Sequence, residues 1–295
     1  MGSGGERRLS IDEEGQRLVK RLGGRWSPAG GMCRCPAHDD RTPSLSVRPG
    51  RTRLLLHCFA GCDASAILRA LEAAHLLEPS AGAVQRASGR RHGAHNGAAQ
   101  RLWSEARSVA GTPAAAYLAS RGLGAASAEL RFHPRTPHGP APLTQFRPAL
   151  IAAVRDESGL VAIHRTFLDP RGHGLAGLSP PRCALGRMGS GAVRLGGVAT
   201  RLGLAEGVET ALSATALFGV PCWATLGTER FRLVALPAEV RELLLFLDHD
   251  RGGRRAEQLA REAFAGLERV HVHYPERVGD DWNDVLRASL AAAET

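Results

Sequence analysis

After residue 197 the chain alternates strand-like and helix-like segments, and that alternation restricts its fold more than any other feature. Strands are expected at 199–205, 220–225, 242–247 and 269–274, and helices at 208–218, 229–236, 252–266 and 282–293. Strands that alternate with helices call for a mostly parallel sheet with helices packed on its faces. Ligands of such a sheet sit outside the carboxyl ends of its strands. Two acidic motifs stand at those ends, Glu206-Gly207-Val208-Glu209 and Asp248-His249-Asp250-Arg251-Gly252-Gly253. In extended chain Asp248 and Asp250 point to one side, because side chains repeat every two residues. Glu206 and this pair give three hard oxygen donors in one crevice, a set that suits Mg²⁺. A third acidic group follows at Asp280-Asp281-Trp282-Asn283-Asp284. Read plainly, Asp250 can equally be the cap of the next helix, and Glu209 a first-turn residue favoured by the helix dipole.

The other end of the chain carries different chemistry. Cys35-Pro-Ala-His38 and Cys58-Phe-Ala-Gly-Cys62 are two close pairs of soft ligands. Strands expected at 44–48 and 53–57, turning at Pro49-Gly50, lie between the pairs. A hairpin of that kind brings two ligand turns together around Zn²⁺, and four protein ligands make the site structural. Cys33 stands close enough to be an alternative ligand to Cys35. Cys183 and Cys222 are isolated and read as core or neutral positions, and His92 and His95 as linker residues. Such a cysteine cluster fits a reducing compartment better than a disulfide framework. No apolar run of spanning length is present, and the first residues lack a signal-peptide core, so the expected address is the cytoplasm with no membrane partner.

Charge divides the chain. Residues 1–100 hold 15 basic and 9 acidic side chains, residues 101–200 hold 12 and 5, and residues 201–295 hold 11 and 15. The first two thirds can meet a polyanion. Arg165, Arg182, Arg187 and Arg194, spaced among glycines, are the candidate nucleic-acid or nucleotide contacts, and a solvated Arg-rich surface is the plain alternative. A helix is expected at 10–24 behind a Ser10 cap, others at 63–77 and 99–120, a loop at 130–145, and an antiparallel pair at 149–155 and 160–167. The expected domains are residues 1–78, a flexible linker at 79–98, a helical and basic α+β subdomain at 99–198, and an α/β domain at 199–295.

These motifs carry a family resemblance. Cys35-Pro-Ala-His38-Asp-Asp-Arg-Thr42-Pro43-Ser44, followed by His57-Cys58-Phe-Ala-Gly-Cys62, resembles the zinc ribbon of bacterial DNA primases, with a wider final ligand gap like that of phage and mobile-element enzymes. The Glu206, Asp248-x-Asp250 and Asp281 motifs, in that order, resemble the Toprim domain, a Rossmann-like fold. The resemblance implies a primase: a nucleotidyltransferase that copies single-stranded DNA into short RNA primers from nucleoside triphosphates. It implies that Glu206, Asp248 and Asp250 are catalytic and, with Asp281, hold Mg²⁺ or Mn²⁺. It also implies that Arg165, Arg182, Arg187 and Arg194 hold template or nucleotide. No phosphate-binding loop of the helicase type is present, so a replicative helicase would be a separate chain. A Toprim nuclease, or a non-catalytic DNA-binding or helicase-loading protein, are the alternative readings.

Overall fold

The computed structural model describes residues 10–27, 30–40, 43–50, 53–58, 62, 64–76, 92–124, 127–139, 144–171, 174–178 and 180–293. The chain divides into two compact units, with the division between Arg86 and Ala87.

In the first unit, α1 (Ile11–Arg21) opens on a capping box. Ser10 Oγ accepts from the Glu13 N–H, and the Glu13 carboxylate accepts from the Ser10 N–H. Two otherwise orphaned helix-end donors are thereby satisfied. Strands β1 (Arg25–Ser27), β2 (Gly30–Cys33), β3 (Leu45–Pro49) and β4 (Leu54–Cys58) form an antiparallel sheet in sequential order. Helix α2 (Ala64–Ala73) follows. Leu18 and Val19 of α1, Leu45 and Val47 of β3, and Ile67 and Leu71 of α2 make one core.

The second unit begins with α3 (His92–Glu105) and α4 (Pro113–Ser120). Two expectations are corrected here. The helix expected over 99–120 is two helices, and residues 92–98 of the expected linker belong to the first of them. Strands β5 (Leu130–His138), β6 (Gln145–Asp156), β7 (Gly159–Phe167) and β8 (Arg182–Gly186) pair antiparallel in sequential order. Much of the loop expected at 130–145 is therefore strand. Ala149, Ile151 and Ala153 of β6 pack with α3. The alternate residues Leu150, Ala152 and Val154 face α4 and the C-terminal helices. Both faces of β6 are covered, which explains an unbroken apolar run where a half-exposed strand would alternate.

Next come β9 (Arg201–Ala205), α5 (Val208–Phe218), β10 (Cys222–Ala224), a 3₁₀ turn at Thr228–Arg232, β11 (Glu242–Phe246), α6 (Arg251–Ala263), β12 (Arg269–His273) and α7 (Trp282–Ala293). The helix expected at 229–236 is only that 3₁₀ turn. All pairings are parallel, in the order β10-β9-β11-β12. Leu202, Leu204, Leu243 and Leu245 face α6, whereas Ala205, Leu244 and Phe246 face α5 and α7. The sheet is doubly wound, with its switch point between β9 and β11.

The two sheets of this unit are joined. Ala192 bridges to Arg155, and Val193 exchanges two 3.0 Å backbone hydrogen bonds with Ala224 of β10. Tyr117, Leu118 and Leu150 share a core with Val208, Trp282 and Leu286. The described parts of α4 and β5–β8 thus share a core with the parallel sheet. Among the described residues, no helix is long and apolar enough to cross a membrane.

Candidate functional site

The soft-ligand pairs meet as their spacing requires. The ligand atoms of Cys35, His38, Cys58 and Cys62 all lie within 4.8 Å of one another. His38 Nδ1 stands 3.2 Å from Cys62 Sγ and 4.0 Å from Cys58 Sγ. Cys58 ends β4 while Cys35 follows β2, so the sheet itself fixes their approach. The far side of the imidazole meets a carboxylate: His38 Nε2 lies 3.7 Å from Asp40 Oδ1. Asp40 Oδ2 accepts from the Cys35 N–H at 2.6 Å, the Ser44 N–H at 3.0 Å and Ser44 Oγ at 2.6 Å. Such outer partners fix the tautomer and aim of a ligating histidine. Three thiols and an imidazole with this support fit Zn²⁺. Hydrogen bonding from Cys35 and Cys62 drives the Cys58 thiol far below its ordinary range, so the cluster favours a thiolate. Cys33 lies outside the cluster. It is buried on β2, its Sγ lies 3.6 Å from the Leu45 carbonyl, and burial pushes its thiol up to about 12. Of the two alternatives, geometry selects Cys35.

The carboxylates stand at the switch point of the parallel sheet. Glu206 follows β9, and Asp248 and Asp250 follow β11. Asp250 does cap α6, its Oδ1 accepting from the Gly253 N–H at 2.8 Å. Asp281 occupies the same place on α7: its Oδ1 accepts from Asn283 N at 2.8 Å and Asp284 N at 2.9 Å. Both acids keep oxygens free of those caps. The Asp248–Asp250 turn is tied to the third acidic group, since His249 N donates to the Asp280 carbonyl at 3.4 Å and Gly279 N to the His249 carbonyl at 3.1 Å. The His249 ring lies 2.7 Å through Nδ1 from the Pro275 carbonyl, so it anchors the turn.

Asp248 and Glu206 are both displaced upward. Burial raises the Asp248 carboxyl to about 7, and the charges of Glu206, Asp281, Asp250 and Asp284 push in the same direction. Its Oδ1 is buried without a hydrogen-bond partner. Glu206 is raised chiefly by burial, with Asp250 adding to the shift and a hydrogen bond from Thr228, 3.1 Å at Oγ1, opposing it. Gly252 keeps the floor open: a Cβ there would stand 3.2 Å from Asp250 Oδ1 and 3.7 Å from Thr228 Oγ1. A buried, unpartnered carboxylate oxygen among other acids is costly unless a cation joins it. Among the described residues only the Cys/His group closes to within 4.8 Å. The acidic group is more open, which suits a cation that retains waters and substrate oxygens.

Glu209 belongs to a different assembly. Tyr117 Oη donates to Glu209 Oε1 at 2.6 Å and Arg182 Nη2 donates to the same oxygen at 2.9 Å. Burial pushes this carboxyl up, but the Arg182 charge and both hydrogen bonds outweigh it, leaving it below its usual range. Asn283 is a clamp: its Nδ2 donates to the Arg121 carbonyl at 2.8 Å and to Ser213 Oγ at 3.1 Å. Asp284 Oδ2 lies 3.3 Å from the Asp281 N–H.

The four arginines expected to meet nucleic acid are placed differently from one another. Arg165 is buried and donates to the carbonyls of Pro137, Cys183 and Ala184. Arg182 is held by Glu209. Arg194 lies over the Trp223 ring at 4.7 Å. Arg187 is exposed. Sequence alone gives Asp40 no role within the Cys35–Ser44 motif, and it does not single out Thr228 or Tyr117, hydroxyls with no motif of their own. Nor does it single out Arg230, which lies buried and donates to the carbonyls of Thr225, Gly189 and Gly191.

Residues 201–292 match the Toprim domain family. The chain carries a Toprim domain. Residues 93–195 match a domain of unknown function (DUF7146). No curated protein matches the chain. Among solved structures it is similar to a DNA primase domain from Pseudomonas aeruginosa, at 18% identity and a TM-score of 0.46, over 68% of this chain and 77% of that one. It is also similar to the zinc-binding and RNA polymerase domains of the Aquifex aeolicus primase, at 16% identity and a TM-score of 0.46, over 95% and 83%. A third is the RNA polymerase domain of the Mycobacterium tuberculosis primase DnaG, at 18% identity and a TM-score of 0.44, over 70% and 82%. With the Toprim boundaries in place, the acids at the ends of β9 and β11 and at the start of α7 all fall within that domain.

Proposed function

We propose that the chain is a primase, joining ribonucleotides into short primers on single-stranded DNA. The observation that carries this reading is the buried, unpartnered Oδ1 of Asp248, facing Glu206, Asp250, Asp281 and Asp284 at the switch point of the Toprim sheet. Asp248 and Asp250 would hold Mg²⁺ or Mn²⁺, with Glu206 and Asp281 beside them. Bound there, the cation supplies Lewis-acid stabilisation of phosphoryl oxygens. Burial raises the Glu206 carboxyl, the direction in which a carboxylate becomes a better proton acceptor. A carboxylate oxygen of Glu206 takes the proton of the primer 3′-hydroxyl as that oxygen attacks the α-phosphorus. The bond to pyrophosphate breaks in line. Thr228 holds Glu206 through Oε2, and Gly252 leaves room for the phosphate oxygens. Arg182, Arg187 and Arg194 would hold the triphosphate or template strand. Arg165, with its donors spent on carbonyls, would hold β7 and β8 in place for them. The Cys35, His38, Cys58 and Cys62 cluster would bind Zn²⁺ as a structural site in a template-reading ribbon.

The test incubates the protein with single-stranded DNA, labelled ribonucleotides and Mg²⁺, beside a variant with Asp248→Ala and Asp250→Ala together. Short labelled products from the unsubstituted protein alone support the reading. Cleaved DNA without synthesis overturns it in favour of a nuclease, and intact DNA without products under these conditions also counts against it.

A further inference from the structure

Apart from the acidic group, the second unit has a cavity of about 320 Å³ whose lining includes Tyr117, Ser120, Arg121, Arg182 and Arg287. Three elements meet there: the end of α4, the start of β8 and the outer face of α7. The Asn283 amide ties two of them, bonding both the Arg121 carbonyl and Ser213 of α5. Buried contacts therefore fix the α4 and α7 walls, and Gly174 and Leu175 of the β7–β8 connection complete the lining.

The charges in this cavity do not cancel. Arg182 pairs with Glu209, but among the described residues neither Arg121 nor Arg287 has a carboxylate partner. Three guanidinium groups against one carboxylate leave an excess of two positive charges. The donors are also unspent: Nε of Arg121 and Nε of Arg182 are buried without hydrogen-bond partners. A buried guanidinium N–H without an acceptor costs free energy that an incoming anion would recover. A dianion with several oxygens matches both the charge and the planar donor forks.

We propose that this cavity is a phosphate-binding site, in which Arg121 and Arg287 join Arg182 to hold either the terminal phosphate dianion of a nucleotide or two neighbouring phosphodiester monoanions of a strand backbone. Arg121 and Arg287 are new to the functional reading of this chain. The cavity adjoins the first turn of α5 through Glu209, three residues beyond Glu206, so a ligand phosphate held here lies on the side of the Toprim sheet where α5 begins. The inference rests on the primase reading only for what the bound phosphate is used for, and binding is measured here without catalysis.

The test titrates the full chain at low salt, without divalent cations, against ATP, adenosine and a single-stranded oligodeoxynucleotide. The variants are Arg121→Ala with Arg287→Ala, the single changes Arg287→Ala and Arg287→Glu, and the control Arg269→Ala. The double variant is expected to weaken ATP or oligonucleotide binding at least tenfold, and Arg287→Glu to weaken it further than Arg287→Ala alone. Loss with ATP identifies the free nucleotide as the source of the phosphate, and loss with the oligonucleotide alone identifies the strand. Arg269→Ala, an exposed arginine on β12 that does not line the cavity, is expected to bind like the unsubstituted protein, and binding is read without primer synthesis. Unchanged binding of both ligands by the double variant and by Arg287→Glu, or adenosine binding as tightly as ATP, overturns the proposal.

Discussion

Asp248→Asn should stabilise the protein in the absence of divalent cations, and its effect should depend on pH. The native carboxyl is raised from 3.8 to about 7, burial being the largest cause. Between those values the folded protein keeps a proton that the unfolded chain has released. Stability therefore falls as pH rises through this window and levels off above about 7. A displacement of that size corresponds to about 4 kcal/mol. Asp248 is partly open to solvent, and screening reduces the expected cost to about 2 kcal/mol. Asparagine keeps the shape and carries no charge, so at pH 8 the variant should gain that amount, a rise of roughly 4–8 °C in the melting temperature of a unit this size. At pH 4 the two proteins should melt together. Thermal melts followed by tryptophan fluorescence report on this unit through Trp223 and Trp282, without a chelator that would disturb the Cys/His site. Added Mg²⁺ should raise the melting temperature of the unsubstituted protein and leave the variant unmoved. A variant no more stable at pH 8, or equally stabilised at pH 4 and pH 8, refutes the electrostatic account of the site.

Three further outcomes are expected. Cys58→Ser should abolish zinc in elemental analysis and unfold the first unit, whereas Cys33→Ser should keep its zinc, because that thiol lies outside the cluster. Gly253→Ala should destabilise the second unit by about 1–3 kcal/mol in urea melts, since the added Cβ would overlap the Asp248 carbonyl oxygen and move the acidic turn. Tyr117→Phe should cost about 1–2 kcal/mol in the same assay by removing one of the two side-chain donors to a buried carboxylate, and should raise the Glu209 pKa toward its ordinary value.

The acidic site was legible because strand ends in a doubly wound sheet are set by local pattern. Ala205 and Leu247 close two apolar runs, and Glu206 and Asp248 follow directly. The expected helix at 208–218 has the observed bounds, and so does that at 282–293. Strand β5 was hidden by Pro134 and Pro137, which argue against a strand interior. Its place at the sheet edge, with a register shift between His133 and Thr136, tolerates them. Helix α3 was hidden because its glycines and histidines lack an apolar period. The Tyr117–Glu209 contact joins residues 92 positions apart. No local pattern contains such a pair, because it exists only once α4 and α5 share a core.

The basic middle shows why a count of charge is a weak guide to a binding face. Arg165 and Arg230 are buried and donate to carbonyls, so their charge serves to close backbone turns. Arg155 is paired with Glu129 at 2.7 Å, and Arg182 with Glu209. Arg131 lies over the Trp103 ring at 4.3 Å and spends a donor on the Trp103 carbonyl. Buried guanidinium groups project little field into solvent and release few counterions on contact with a strand. The charge that can meet a polyanion comes instead from side chains such as Arg187, Arg121 and Arg287, two of which lie outside the glycine-spaced arginine block. Arg287 even comes from the third of the chain whose net charge is negative. At the proposed phosphate site, recognition would thus follow where the fold leaves guanidinium donors unspent, which the packing of α4, β8 and α7 sets.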